Sequence, residues 1–200
     1  MTSRTLPFFC LALASMGACA PTAKQEAPAD LAAFAHERLM DDVKHTTFID
    51  FGSKVQLIGY DVSPEDSAKP GESVKMTLYW KRTGQLDPGW RLFTHVHDDQ
   101  GRQISNFDRE GAFRSALGAK ESGLSILELG KVYTDEQTFA VPKADVVTPK
   151  ITIVVGVWND TMRLPVVSGP SDGHAAAIVT HISTGVGRRG LVKVLQGSKK

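Results

Sequence analysis

Two histidines separated by one residue, His95 and His97, carry the most chemistry per residue in this 200-residue chain. In an extended strand that spacing puts both rings on one face, with Asp98, Asp99 and Asp108 near in sequence. Two imidazoles and a carboxylate can hold Zn²⁺ and leave a water position open, which would suit a hydrolase. The same spacing equally describes two strand histidines with structural hydrogen bonds, and short patterns of this kind do not separate the two.

Other constellations are weaker. There is no Gly-x-Ser-x-Gly elbow, and Ser168 in Val167-Ser168-Gly169-Pro170 has no identifiable base. Gly185-Val186-Gly187-Arg188-Arg189-Gly190 looks like a phosphate loop but lacks a following helical pattern. Asp108, Asp135 and Glu136 could pair as acid and base for glycoside hydrolysis, although carboxylates on exposed strands are mostly solvated. Trp80 is in phase with core residues and Trp158 reads as core, whereas Trp90 follows a turn. An exposed Trp90 would be the best candidate for stacking on a ligand. Weak ligand-binding candidates are therefore Trp90, His95, His97 and Asp108, with no catalytic residue, no metal site and no cofactor assigned.

The elements that must position these residues read as an all-β chain. Segments Ser53 to Val62, Glu72 to Arg82, Trp90 to His97, Arg102 to Phe107, Lys131 to Val141, Pro149 to Asn159 and Ala175 to Ser183 are rich in β-branched and aromatic residues. Val74, Met76, Leu78 and Trp80 alternate with Lys75, Thr77, Tyr79 and Lys81, so one face of that strand lies in a core. Ile151 to Trp158 is apolar on both faces and predicts a central strand. Lys69-Pro70-Gly71-Glu72 predicts a type II turn, Asp87-Pro88-Gly89-Trp90 repeats the device, and Asp99-Gln100-Gly101 predicts a tight hairpin loop. Gly111 to Gly130 lacks alternation and is either an excursion across one end of the sandwich or a short helix. The expected fold is an antiparallel β-sandwich, immunoglobulin-like or jelly-roll-like, over residues 46–184.

Ahead of it, residues 30–45 predict a short helix, with Asp30 as N-cap and Leu31, Phe34, Ala35, Leu39 and Met40 as its stripe, or equally a partly ordered stalk. Residues 19–29 read as a Pro- and Ala-rich tether. Residues 185–200 form a basic segment that could add an edge strand. Residues 1–18 have a charged start at Arg4 and an apolar run from Leu6 to Ala14, which is signal-peptide anatomy and too short to cross a bilayer. Gly17-Ala18-Cys19 resembles the lipobox of bacterial lipoproteins, in which the cysteine is lipidated; Met16 stands where those proteins usually carry Leu. The resemblance implies membrane attachment through Cys19, and Ala20 after it favours an outer membrane facing the periplasm. Cleavage after Ala20 would instead give a soluble periplasmic or secreted protein, with Pro21 poorly suited to that cut.

Only Cys10 and Cys19 occur, so the folded part has no thiol for a disulfide or a thiolate metal site. Lys and Arg total 23 against 22 Asp and Glu, which gives no reason to expect nucleic acid.

The runs Val55-Gln56-Leu57-Ile58-Gly59-Tyr60-Asp61, Lys69-Pro70-Gly71-Glu72, Leu78-Tyr79-Trp80-Lys81, Leu92-Phe93-Thr94-His95-Val96, Val141-Pro142, Val155-Gly156-Val157-Trp158 and Arg163-Leu164-Pro165 resemble one β-sandwich module. That module is found as an accessory domain on bacterial membrane glycosyltransferases and in free-standing exported proteins. The resemblance implies a sandwich without catalysis of its own; Leu127-Glu128-Leu129-Gly130 stands where members often carry Trp-x-x-Gly. The expectation is a lipid-anchored, non-catalytic envelope module for a protein or glycan partner. The alternatives are a metal-dependent or glycan-processing hydrolase using His95, His97 and Asp108, and a structural protein that assembles with copies of itself.

Overall fold

A computed structural model describes residues 29–118, 121–143, 148–160 and 162–186. The signal peptide, Cys19, the tether up to residue 28 and the basic segment from residue 187 onward lie outside the described residues. The chain folds as an antiparallel two-sheet β-sandwich, as its alternation predicts.

The elements in order are helix α1 (Ala29–Ala32), β1 (Ala35–His36), β2 (His45–Phe51), β3 (Val55–Ser63), β4 (Ser73–Arg82), β5 (Arg91–His97), β6 (Gln103–Asn106), helix α2 (Ala112–Gly118), a 3₁₀ turn (Leu124–Ile126), β7 (Val132–Ala140), β8 (Lys150–Asn159), β9 (Met162–Arg163), β10 (Val166–Ser168) and β11 (Ala177–Ser183). One sheet runs β1-β7-β4-β3-β2-β10 and the other β11-β8-β5-β6, with β9 paired to β8. All seven predicted strands are present within a few residues of their expected bounds.

The core is what the alternation dictates. Val74, Met76, Leu78 and Trp80 of β4 face Ile151, Ile153, Val155 and Val157 of β8, all buried, and apolar burial of this kind is the main favourable term in folding. β8 is central, between β5 and β11, and on its outer face Val154 is buried against Phe93 and Ala176. The Pro70-Gly71 turn has the expected geometry, with Gly71 at φ +87° and the Glu72 N–H donating to the Lys69 carbonyl at 2.9 Å. Asp98 closes the next hairpin by accepting from the Gln100 and Arg102 N–H groups, each at 2.9 Å.

The predicted helix over residues 30–45 is not formed beyond Ala32. Leu31 is fully buried, Phe34 packs edge-on against Phe113 at 5.5 Å, and Ala35–His36 pair with Val132 and Tyr133 as the last strand of the sheet. Farther on, Leu39 and Val43 close over Gly59. A helix this short is marginal in water, and a sheet edge offering backbone hydrogen bonds outcompetes it. In the stretch from Gly111 to Gly130 both expectations are met: it crosses one end of the sandwich and contains α2, whose Phe113, Arg114 and Leu117 point inward.

Candidate cleft at the end of the five-stranded sheet

β6 pairs only with His95, Val96 and His97, so the first half of β5 has no strand neighbour on that side. Backbone groups of alternate residues point to the same side of an antiparallel strand. On the open side Trp90 is capped by the Leu124 N–H, at 2.8 Å from its carbonyl. Thr94 is capped twice: its N–H donates to Asp108 Oδ1 at 2.9 Å, and its carbonyl accepts from Phe107 N–H at 2.9 Å. Leu92, between them, receives no such cap among the described residues. The gap opens as a cleft of about 810 Å³, walled by Trp90, the loop from Asn106 to Glu110, one face of α2, and Trp158. That volume lies within the range of small-ligand sites.

A second hollow of about 330 Å³ adjoins it, lined by Phe93, His95, Asp160, Met162 and Arg163, and shares Asn106, Asp108 and Trp158 with the first. Three of the four predicted ligand-binding residues, Trp90, His95 and Asp108, therefore line one hollow or the other. His97 does not line either, although its ring lies 6.4 Å from that of His95 on the same face.

His95 Nε2 lies 3.3 Å from Asp108 Oδ1 and 3.4 Å from Asn106 Nδ2, and Asn106 Nδ2 donates to Asp108 Oδ2 at 2.9 Å. Burial alone would push the Asp108 carboxyl up, but the His95 ring, the Thr94 N–H and Asn106 together hold it below the usual carboxylate range. His97 is moved down from the ordinary imidazole value, first by burial and then by repulsion from His95. The carboxylates expected beside the histidines are dispersed: Asp98 turns inward to its own hairpin, and Asp99 accepts from the Thr148 hydroxyl. Among the described residues no three His, Cys, Asp or Glu side chains come together in an arrangement that could hold a metal.

Two aromatic assignments change. Trp90 is not exposed but 6 % accessible, and it contributes to the core while its edge lines the cleft. It shares parity with Leu92 and Val96, the signal that places it inward. Trp158 is not core but half-buried on the outer face of its sheet, packed against Phe93, Val154 and Ala176. Its indole N–H has no hydrogen-bond partner among the described residues. Asp135, grouped with solvated strand carboxylates, is fully buried: Arg114 lies 2.9 Å away, and Trp80 Nε1 donates to it at 3.2 Å. Sequence reasoning missed Arg91 and Arg163, placed by strand register, and Arg109, placed by the turn after β6, none of them marked by a local motif.

Fold and cleft together define a two-sheet β-sandwich with one composite hollow at a sheet edge. No family model matches the chain, and no curated protein does. Among solved structures it is similar to the CARDB domain of a Pyrococcus furiosus protein, crystallised in complex with di-metal ions. The identity is 12%, the TM-score is 0.34, and the match covers 73% of this chain and 98% of that one.

Proposed function

We propose that this is a lipid-anchored, non-catalytic envelope β-sandwich whose cleft binds a glycan partner. The observation that carries the glycan reading is the cleft itself: Trp90 and the half-buried Trp158 stand beside Asn106, Asp108, Arg91 and Arg109. Sugars present an apolar ring face and a polar rim, and a hollow lined by indoles and a few convergent polar groups matches both. The anchor rests on Gly17-Ala18-Cys19, and the outer-membrane assignment rests on Ala20.

The Asp108 carboxylate already accepts from Thr94 and Asn106, faces His95 and is held ionised, so it is not suited to act as the general acid of a glycoside hydrolase at neutral pH. The competing reading, a metal-dependent or glycan-processing hydrolase using His95, His97 and Asp108, draws on the His95–Asp108 contact in the wall of the hollow.

Titration of the purified protein with oligosaccharides prepared from envelope polysaccharide, followed by tryptophan fluorescence, tests the reading. Saturable quenching that disappears in Trp158→Ala, with the oligosaccharide recovered intact, is the expected result. Cleaved sugar, or one metal per chain by plasma mass spectrometry with a chelator-sensitive melt, would favour the hydrolase instead.

A further inference from the structure

We infer that the ligand of this cleft is an acidic saccharide, gripped by a row of three side chains, Arg91, Trp158 and Arg163. The inference rests on the glycan reading and adds the charge of the sugar.

The row is fixed by register. Arg91 of β5 and Arg163 of β9 are the direct cross-strand partners of Trp158 on its two sides. Directly opposed residues share a sheet face with Cβ atoms about 5 Å apart. An indole therefore stands between two guanidinium groups on the outer face. Arg91 lines the larger hollow, Arg163 the smaller, and Trp158 both.

The charges there are unspent. Arg91 and Arg109 are exposed and have no ion-pair partner among the described residues. The Arg163 guanidinium lies over the Phe93 ring, 4.6 Å from its centroid, and its one hydrogen bond among the described residues, to the His174 carbonyl, is long at 3.4 Å. Arg114 is matched by Asp135, and Asp108 is occupied by Thr94, Asn106 and His95. Arg91, Arg109 and Arg163 share the two hollows with the carboxylates of Asp108, Glu110 and Asp160, and none of the three guanidinium groups is ion-paired to them among the described residues. A guanidinium fork offers two parallel N–H donors to a carboxylate or a phosphate. A sugar ring stacked on Trp158 would carry such a group to either side, into the reach of Arg91 or Arg163.

Calorimetric titration of the full-length protein in detergent, using a uronate tetrasaccharide, a neutral tetrasaccharide of the same linkage and a phosphorylated tetrasaccharide, tests this. At least one acidic sugar should bind about tenfold or more tightly than the neutral one, the difference expected for one charge-assisted hydrogen bond. Arg91→Gln and Arg163→Gln should each weaken acidic binding about tenfold and shrink the preference for the acidic over the neutral sugar. The acidic sugar that binds identifies carboxylate or phosphate as the group read. Equal affinity for all three sugars, or arginine variants that bind the acidic sugar normally, would overturn the inference and leave the glycan reading standing. Failure of all three to bind would overturn both.

Discussion

Arg114 on α2 and Asp135 on β7 form an ion pair at 2.9 Å with both side chains sealed from solvent, at 3% and 0% exposure. The pair spans the sandwich interior: Arg114 also donates to the Thr94 hydroxyl at 2.8 Å and Asp135 accepts from the Trp80 indole. It thereby ties the cleft-bearing helix to strands of both sheets.

Breaking one side strands a charge. Arg114→Met should cost about 3–5 kcal/mol in urea unfolding, because Asp135 remains buried with only one neutral donor. Replacing both, with Arg114→Met and Asp135→Leu, should cost less than Arg114→Met alone, since no ion is then desolvated. A double variant that is weaker than either single one would show that the cost of Arg114→Met does not come from stranding the Asp135 charge.

Gly123 holds the cleft rim at its closest approach to β5. Its φ is +57°, and a Cβ there would sit 2.2 Å from the Trp90 carbonyl oxygen, a backbone atom with no room to retreat. Gly123→Ala should lower stability by about 3 kcal/mol and weaken glycan binding by moving Trp90, read from urea midpoints and titration of the same sample. Gly130→Ala makes the control for backbone conformation, since Gly130 also has positive φ but a Cβ there meets nothing within 4 Å.

Acid should lower the stability of the protein in two pH windows. His97 and His181 are moved down chiefly by burial, helped by His95 and Lys150 respectively; Asp98, Asp172 and Arg163 also act on His97. The unfolded chain therefore takes up these protons first, so their contribution is complete above about pH 6.5 and is lost as pH falls toward the folded values. For Asp98, burial pushes upward, but the Arg102 N–H and guanidinium and the Gln100 N–H outweigh it and hold the carboxyl low. Asp108 is also held low. Their contribution is complete above about pH 4 and is lost as pH falls through the lower folded values. Thermal midpoints from pH 8 to pH 2 should decline in both windows. His97→Gln should flatten the upper decline, and Asp98→Asn the lower one.

The membrane anchor has its own test. Cys19→Ala should abolish lipid labelling and shift the protein from the membrane to the soluble fraction. An unchanged fractionation would remove the lipoprotein proposal without touching the cleft.

Legibility in the sequence followed periodicity. β4 could be read because its inward residues are all apolar and its outward ones mostly polar. β2 was obscured because Ile49, Asp50 and Phe51 are all buried and its register with β3 shifts between Thr46 and Ile49, which breaks the alternation. β1, β9 and β10 are two or three residues long, below the length at which any period shows. For the site, His95 and Asp108 were readable from proximity in the chain. Arg114 with Asp135, and Arg91 with Trp158 and Arg163, were not, since those pairings depend on which strands become neighbours. One local sign existed: Asp135 and Gln137 share parity with Tyr133 and Phe139, an inward polar stretch that requires partners.

The short entry segment gives the domain a mechanical polarity. Leu31 is plugged into the core, Phe34 leans on Phe113 of α2, and two residues of β1 are zipped to β7. A load applied at Ala29 would first draw on Leu31, then through Phe34 and Phe113 reach the helix that walls the cleft, and only afterwards unzip β1. Under the proposed anchoring, tension arriving at Ala29 would thus bear on the same helix that walls the hollow.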